Sequence, residues 1–156
     1  MAANNVTRLL DTKKVTYEVL EIPSEKLSAL EVADFLKVSP DKVYKTIVAR
    51  RSGAGKLVLA IVPATGEVNL KKLARALGEK KMYIPVMREA EAVTGLQAGG
   101  ISALALINKG FQVVIDAHAR EKSEIIISAG QRGLQVRLSP EDLARLTNAR
   151  FFSIFI

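Results

Sequence analysis

Short amphipathic stretches alternate with β-branched runs along the whole chain. Residues 4–13 repeat apolar positions at helical spacing, whereas residues 15–22 alternate apolar and polar positions as a strand does. Ser28 and Glu31 stand three residues apart before an apolar run to Leu36, which is the pattern of a capping box at a helix start. The first forty residues therefore predict a helix, a strand and a second helix.

The middle of the chain predicts a β-hairpin followed by a helix. Residues 44–51 and 56–62 are rich in Val, Ile and Leu, and the Gly-containing segment 52–55 between them favours a turn. Asn69 can cap the helix that follows, and Gly78 suits the left-handed position at its end. This part of the chain thus predicts two antiparallel strands followed by a helix.

Predicted helices and strands follow one another through the second half of the chain as well. Residues 86–93 predict a helix, and Ser139-Pro140 favours the start of a last one. The predicted strands of this half are 82–84, 101–107, 111–116, 124–128, 134–138 and 151–155. Eight or nine strands among about five short helices, without strict βαβ alternation, predict one α+β domain over 1–156 with a mixed, curved sheet.

The amino-acid composition argues against several kinds of catalytic or structural site. The chain has no cysteine and a single histidine, His118, so a thiol nucleophile, a disulfide and a Cys-based zinc site are excluded. A Ser-His-Asp triad is disfavoured, because His118 would have to be the base and no G-x-S-x-G motif is present. We interpret His118 as a surface residue beside a strand, and predict neither a metal nor a cofactor.

Charge points to a polyanionic partner. The net charge is +7 at pH 7, which favours contact with phosphates, although each Lys/Arg cluster by itself reads as a solvated face. The start of the chain lacks the apolar core of a secretion signal, and no apolar run reaches the length of a membrane span. We therefore expect a cytoplasmic protein that binds no membrane.

Lys45 is a cation on an otherwise apolar strand face. In a strand it shares a face with Val43 and Ile47, while Tyr44 and Thr46 occupy the other, more polar-tolerant face. Such a lysine either extends to water from the strand end or is held at a cleft for use. The pattern leaves both interpretations open.

Glycines before the apolar run 101–107 form the second candidate site. Gly99 and Gly100 let the backbone approach a ligand and present an N–H group to a polarised carbonyl, or they simply make a bend. The same two interpretations apply to Ser128 and Gly130.

Together these segments resemble the YbaK/EbsC family. Its members are trans-editing aminoacyl-tRNA deacylases and the related insertion domain of bacterial prolyl-tRNA synthetases. The segments that carry the resemblance are VYKTIV around Lys45, PATGE from Pro63, TGLQAGGIS ending at Ser102, VVIDA from Val113 and ISAGQRGL from Ile127.

The resemblance implies a partly closed, β-barrel-like sheet flanked by short helices, with the aminoacyl end of tRNA in a cleft. It implies release of cysteine from Cys-tRNA(Pro) by the substrate's own thiol. The partners implied are tRNA and prolyl-tRNA synthetase, not DNA. The catalytic residues implied are Lys45 and Gly100, and the substrate-binding residues are Thr46, Gly99, Ile101, Ser102, Ser128 and Gly130.

Several positions depart from the family pattern, among them Ile22, which is near a position where some relatives have tyrosine. Ala103 and Ala105 stand where many relatives have proline and glycine, and Gln135 stands where some have aspartate. These changes affect the expected pocket wall, so the substrate could instead be another small amino acid, such as that of Ala-tRNA(Pro). A third alternative is a tRNA- or synthetase-binding module without catalytic activity.

Overall fold

Two β-sheets form the centre of the protein, whose computed structural model describes residues 4–156. The first sheet is antiparallel, in the order β1 (Tyr17–Glu21), β7 (Leu134–Leu138) and β6 (Ile125–Ser128). The second has the order β4 (Met82–Tyr83), β2 (Tyr44–Arg51), β3 (Val58–Pro63), β5 (Gln112–Asp116) and β8 (Arg150–Phe152). Its β4, β2 and β3 pair antiparallel, whereas β5 and β8 run parallel to β3, so the predicted mixed sheet is confirmed.

Short helices flank the sheets. Over residues 4–156 the α-helices are α1 (Asn5–Thr12), α2 (Ala29–Leu36), α3 (Leu70–Leu77), α4 (Met87–Thr94) and α5 (Pro140–Thr147). All but α4 begin with a polar side chain that accepts a hydrogen bond from a first-turn backbone N–H, as the sequence predicted for Ser28, Asn69 and Ser139. None of the described helices is long and apolar enough to cross a membrane.

The two sheets touch at the start of β2. Val43, just before β2, forms a parallel bridge with Ile126 of β6, and the far end of the same β2 edge pairs with β4 through Arg50 and Arg51. Between these contacts the edge of β2 has no neighbouring strand among the described residues. The barrel-like closure is therefore only partial, and a gap lies beside the middle of β2.

Backbone groups of β2 point into this gap. Ala64 N–H donates to Val43 C=O over 2.8 Å, and bonding alternates along an antiparallel pair. Odd-numbered residues of β2 consequently bond to β3, while Thr46 directs its N–H and C=O to the open edge.

Helix α2 covers the junction between the sheets. Its Val32 and Ala33 pack with Val43 and Ile126 in a buried apolar cluster. The opposite faces of both sheets enclose the largest cluster, which includes Leu59, Ile61, Ile115, Ile127 and Leu138. These two apolar clusters, one on each face of the sheets, hold β2 and β6 in place on either side of the gap.

The predicted strand 101–107 is wrong. This segment turns instead into a short 3₁₀ helix, Leu104–Leu106, in which Ala105 N–H donates to Ser102 C=O and Leu106 N–H to Ala103 C=O, each at 3.2 Å. The Ser102 hydroxyl also accepts from Leu104 N–H at 3.2 Å. The apolar residues of the segment are buried all the same, and a continuous apolar run does not distinguish a strand from a buried helical turn. The last predicted strand is also shorter, since β8 ends at Phe152.

Candidate active site

A cavity of about 430 Å³ opens where α2 covers the gap between the sheets. Its wall is mostly apolar, and five segments of the chain contribute to it. The lining residues are Leu27, Ser28, Ala29, Leu30 and Val32, then Val43, Tyr44, Lys45 and Thr46, then Ala64, Thr65, Gly66 and Glu67, and finally Met87, Gly99, Ile101, Ser128 and Gln135.

Lys45 contributes a positive charge to this wall. Its side chain is 24% exposed, and its Nζ lies 3.4 Å from Oε2 of Glu67, whose side chain is 70% exposed. An ion pair with so exposed a partner contributes about 0–1 kcal/mol, so an incoming anion can replace Glu67 at little cost. The sequence did not single out Glu67, although it lies in the PATGE segment.

The face of β2 opposite Lys45 is less polar than the sequence suggested. Tyr44 is buried in the main apolar cluster, and its hydroxyl has no hydrogen-bond partner among residues 4–156. Burial, reinforced by the negative charges of Asp116, Asp41 and Glu121, raises the pKa of the Tyr44 hydroxyl above its usual value. This phenol therefore stays protonated, in its neutral form, at neutral pH.

Ser128 and Gln135 form the polar part of the cavity floor. They are paired across β6 and β7, so their side chains lie on the same face of the sheet, toward α2. The Ser128 hydroxyl accepts from Gly130 N–H at 3.2 Å, and Gln135 is only 4% exposed. Two hydrogen-bonding side chains thus stand at the bottom of an apolar cavity.

Only part of the glycine loop, residues 99–102, lies where the sequence predicted. Gly99 and Ile101 line the cavity, but Gly100 does not, and its N–H donates to Gln97 C=O at 2.8 Å. A Cβ on Gly100 would lie 2.9 Å from Cα of Gln131. The backbone approach that requires a glycine here is therefore to another loop of the protein, and the Gly100 amide is not free to polarise a carbonyl in this conformation.

Ser102 and Gly130 also lie outside the cavity. Ser102 is fully buried, with its hydroxyl occupied by Leu104 N–H. Gly130 has φ +92°, and a Cβ there would lie 2.9 Å from Cβ of Ala105. Both residues shape the loops behind the wall, whereas Lys45, Thr46, Gly99, Ile101 and Ser128 meet in the cavity.

The loop after β3 is held by residues far away in sequence. The Phe155 ring packs on Gly66, where an added Cβ would lie 2.8 Å from a ring carbon. Ile156 N–H donates to Glu67 C=O at 3.2 Å, and Asn69 N–H donates to Ile154 C=O at 2.7 Å. We call Ile154, Phe155 and Ile156 the C-terminal clamp, because they fix the loop that carries the partner of Lys45.

His118 is outside the cavity, and its side chain is 55% exposed. Its Nδ1 lies 2.7 Å from Oδ2 of Asp116, a fully buried carboxylate that also accepts from His118 N–H and, through Oδ1, from Ile154 N–H at 3.0 Å. Asp116 thereby ties the C-terminal clamp to β5. Across residues 4–156, His, Asp and Glu side chains form no group of three that could hold a metal ion.

Comparison with known proteins identifies the family of this chain. The sequence model of the aminoacyl-tRNA editing domain matches residues 24–146. A candidate Cys-tRNA(Pro)/Cys-tRNA(Cys) deacylase, EbsC of Enterococcus faecalis, is 37% identical over 96% of this chain and 92% of its own length. A proline–tRNA ligase of Pelobacter propionicus is 30% identical over 69% of this chain but only 18% of the ligase.

The fold has solved relatives as well. The crystal structure of a candidate trans-editing enzyme for prolyl-tRNA synthetase superposes with a TM-score of 0.81 over 100% of this chain and 99% of that one, at 20% identity. The residues matched by the editing-domain model include every segment of the cavity wall. The chain belongs to the aminoacyl-tRNA editing domain family.

Proposed function

We propose that the protein removes amino acids from mischarged tRNA by cleaving the ester that joins them to the 3′ end. The observation that carries the proposal is Lys45, a cation in the wall of an apolar cavity whose carboxylate partner, Glu67, is largely in water. A phosphate or the developing charge on an ester oxygen can take the place of Glu67 beside this ammonium. Family membership and the relation to EbsC support the same activity.

The substrate we propose is Cys-tRNA(Pro), with the thiol of the substrate as nucleophile. Its sulfur attacks the ester carbonyl carbon, a C–S bond forms, the bond from that carbon to the tRNA 3′ oxygen breaks, and the thiol proton ends on that oxygen. The products are a cyclic thiolactone and free tRNA. The chain has no cysteine, and its single histidine lies outside the cavity, so a nucleophile within the substrate suits this site.

In this reaction the protein positions the aminoacyl ester of the substrate. The apolar wall receives the aminoacyl group, and the Ser128 and Gln135 side chains offer hydrogen bonds at its inner end. The Gly100 amide is already bonded, so we assign its part in catalysis to the shape of the loop that presents Gly99 and Ile101. We place the reaction in the cytoplasm, on tRNA released by prolyl-tRNA synthetase.

Deacylation of a panel of charged tRNA(Pro) tests this proposal. Cys-tRNA(Pro) should be cleared far faster than Ser-tRNA(Pro), because a thiol is a much better nucleophile than a hydroxyl of similar size. The thiolactone should appear by mass spectrometry before free cysteine. A preference for Ala-tRNA(Pro) would reject the thiol mechanism but keep the deacylase, and no turnover of any ester would leave only a binding module.

A further inference from the structure

Arg132 is a partly buried cation without an acidic partner. Three arginines of the chain are neither exposed nor fully buried, namely Arg51, Arg132 and Arg137. Arg51 and Arg137 each pair with a glutamate. Within residues 4–156, Arg132 forms no ion pair, and its side chain makes one hydrogen bond, from Nε to Ala98 C=O at 2.7 Å. Partial burial of a charge with no carboxylate beside it costs free energy, so the remaining N–H groups of this guanidinium indicate an anion from outside the chain.

The loop that carries Arg132 is fixed by other parts of the protein. Asn4, the N-cap of α1, donates from Nδ2 to Ala129 C=O at 2.9 Å. The backbone of the loop also lies against Gly100, where an added Cβ would be 3.1 Å from Arg132 N. Together with the bond from Nε to Ala98, these contacts hold Arg132 in one place. An arginine held in this way loses little conformational entropy when it binds a ligand.

Arg132 lies beside the mouth of the cavity. Gly99 lines the cavity and is exposed, so it belongs to the mouth. A Cβ on Gly99 would lie 3.6 Å from Cγ of Arg132 and 3.4 Å from Cα of Lys26, so the stem of Arg132 adjoins Gly99. Arg132 does not itself line the cavity. A charged group of a ligand just outside the mouth, next to Gly99, is therefore within its reach.

We propose that Arg132 binds the phosphate on the 5′ side of the terminal adenosine of the tRNA. A guanidinium matches two phosphate oxygens with paired N–H donors, and neither Nη of Arg132 makes a hydrogen bond within residues 4–156. The ester and this phosphate belong to the same nucleotide, so an amino acid inside the cavity places the phosphate near its mouth. The proposal deepens the proposed function, on which it rests for the identity of the RNA.

Adenosine and adenosine 5′-monophosphate test the contact, because they differ only in this phosphate. In NMR titrations the wild type should bind the monophosphate roughly ten- to hundredfold more tightly than adenosine. Arg132→Gln should bind both equally. Glutamine carries its Nε2 as far along the side chain as arginine carries Nε, so the variant can keep the bond to Ala98 C=O while it loses the charge. A preference for the monophosphate that persists in Arg132→Gln, or is absent from the wild type, would overturn the proposal.

Arg137→Gln is the matched control, because it removes one charge from another partly buried arginine, which does not line the cavity. It should keep the preference for the monophosphate. For deacylated tRNA, the slope of log affinity against log salt should be about 0.7 smaller in Arg132→Gln than in the control, the contribution of one single-stranded phosphate. Equal slopes would contradict the proposal. If Arg132→Gln keeps its affinity for both ligands but no longer associates with prolyl-tRNA synthetase, Arg132 belongs to a protein interface and the proposal fails.

Two esters separate this proposal from the proposed function. Arg132→Gln should lower kcat/KM at least about tenfold for Cys-tRNA(Pro), but less than about twofold for 3′-O-cysteinyl adenosine, which has no phosphate. Equal losses on both esters, with an unchanged unfolding midpoint, would show that Arg132 acts on the cavity wall itself, against the proposal. If the wild type cleaves neither ester, the deacylase function is wrong, while the nucleotide and salt measurements still decide the role of Arg132.

Discussion

Lys45 has an aliphatic stem on a covered strand face and an ammonium group in the cavity. Its stem lies on the β2 face that α2 covers, and its ammonium reaches the cavity, where the exposed Glu67 is its partner. The carboxylate that pairs with this ammonium is largely exposed to water. An anion that enters the cavity can therefore replace Glu67 at little cost, as the proposed function requires.

Replacement of Lys45 by alanine should leave the fold intact and lower kcat/KM roughly ten- to hundredfold, since one hydrogen bond to a charged group contributes about 1.5–3 kcal/mol. Single-turnover deacylation with circular dichroism as a folding check measures this. Glu67→Gln is the matched control: it removes the competing carboxylate and should not raise KM. Activity of folded Lys45→Ala within a factor of two of wild type would contradict the assignment.

Gly100 is expected to act through stability. Gly100→Ala places a Cβ against the backbone of Gln131, where only a shift of one loop makes room, so the free energy of unfolding should fall by about 1–3 kcal/mol. Gly53→Ala is the control, because an added Cβ there meets no atom within 4 Å. Denaturant unfolding compares the two. Loss of activity per folded Gly100→Ala molecule, with unchanged stability, would restore a direct role for this amide.

At the scale of elements, the first turn of α2 is both a cap and a part of the cavity. Ser28 N–H donates to Glu31 Oε1 at 2.9 Å, and this bond lowers the pKa of the Glu31 carboxyl. A carboxyl with a lowered pKa in the folded state stabilises the fold above its unfolded pKa, and that stabilisation is lost as the pH falls through the folded value.

Lowering the pH below the usual pKa range of glutamate should therefore destabilise this turn. Hydrogen exchange of the amides of residues 28–31 should accelerate there more than exchange at the start of α5, after correction for intrinsic rates. Glu31→Gln keeps an acceptor without a titrating group and should abolish the difference. An unchanged pH dependence in Glu31→Gln would show that the cap is not the cause.

The C-terminal clamp should matter for substrate binding as well as for stability. Phe155→Ala removes the ring that packs on Gly66, so the loop carrying Glu67 should move more freely and KM should rise. The ring is half-buried, so the loss of stability should be below the roughly 3–5 kcal/mol of a fully buried phenylalanine. Phe35→Ala, at an exposed ring, is the control in thermal unfolding and in KM. Equal KM values would argue against the clamp.

Elements whose signals are local could be predicted from the sequence. Alternation predicted β1, two apolar runs around a glycine turn predicted β2 and β3, and cap residues predicted the start of α2. One cation on an apolar face singled out Lys45, which the structure places in the cavity wall. The roles of Gly100 and Ser102 could not be predicted in this way. They depend on which loop approaches Gly100 and on the folding of a buried apolar run as a 3₁₀ helix, which periodicity does not distinguish from a strand.

At the scale of the molecule, the gap between the sheets leaves room for the cavity. Among residues 4–156, strand pairing joins the two sheets only at Val43 and Ile126, and the open edge of β2 and the inner face of α2 together bound a cavity beside this junction. Rigid strands hold Lys45, Ser128 and Gln135, while loops and a helix turn complete the wall. Strands thus hold the polar groups of the cavity, and loops and the first turn of α2 form the rest of its wall.

The net charge of the whole protein should make its association with tRNA sensitive to salt. The logarithm of the affinity should fall linearly with the logarithm of the salt concentration, with a slope of about 0.7 for each single-stranded phosphate contacted. Filter binding of deacylated tRNA(Pro) from low to moderate salt measures it. A flat response would contradict a phosphate-dominated contact.

The C-terminal clamp also has a consequence for the order of events during synthesis. Gly66 leaves the ribosome long before Phe155, and at typical translation rates the ring that holds it follows roughly 5–20 s later. Until then the loop with Glu67 has no anchor, although β2 and β3 are already made. A nascent chain therefore carries an unfinished cavity wall until the clamp residues have been made and have folded onto this loop.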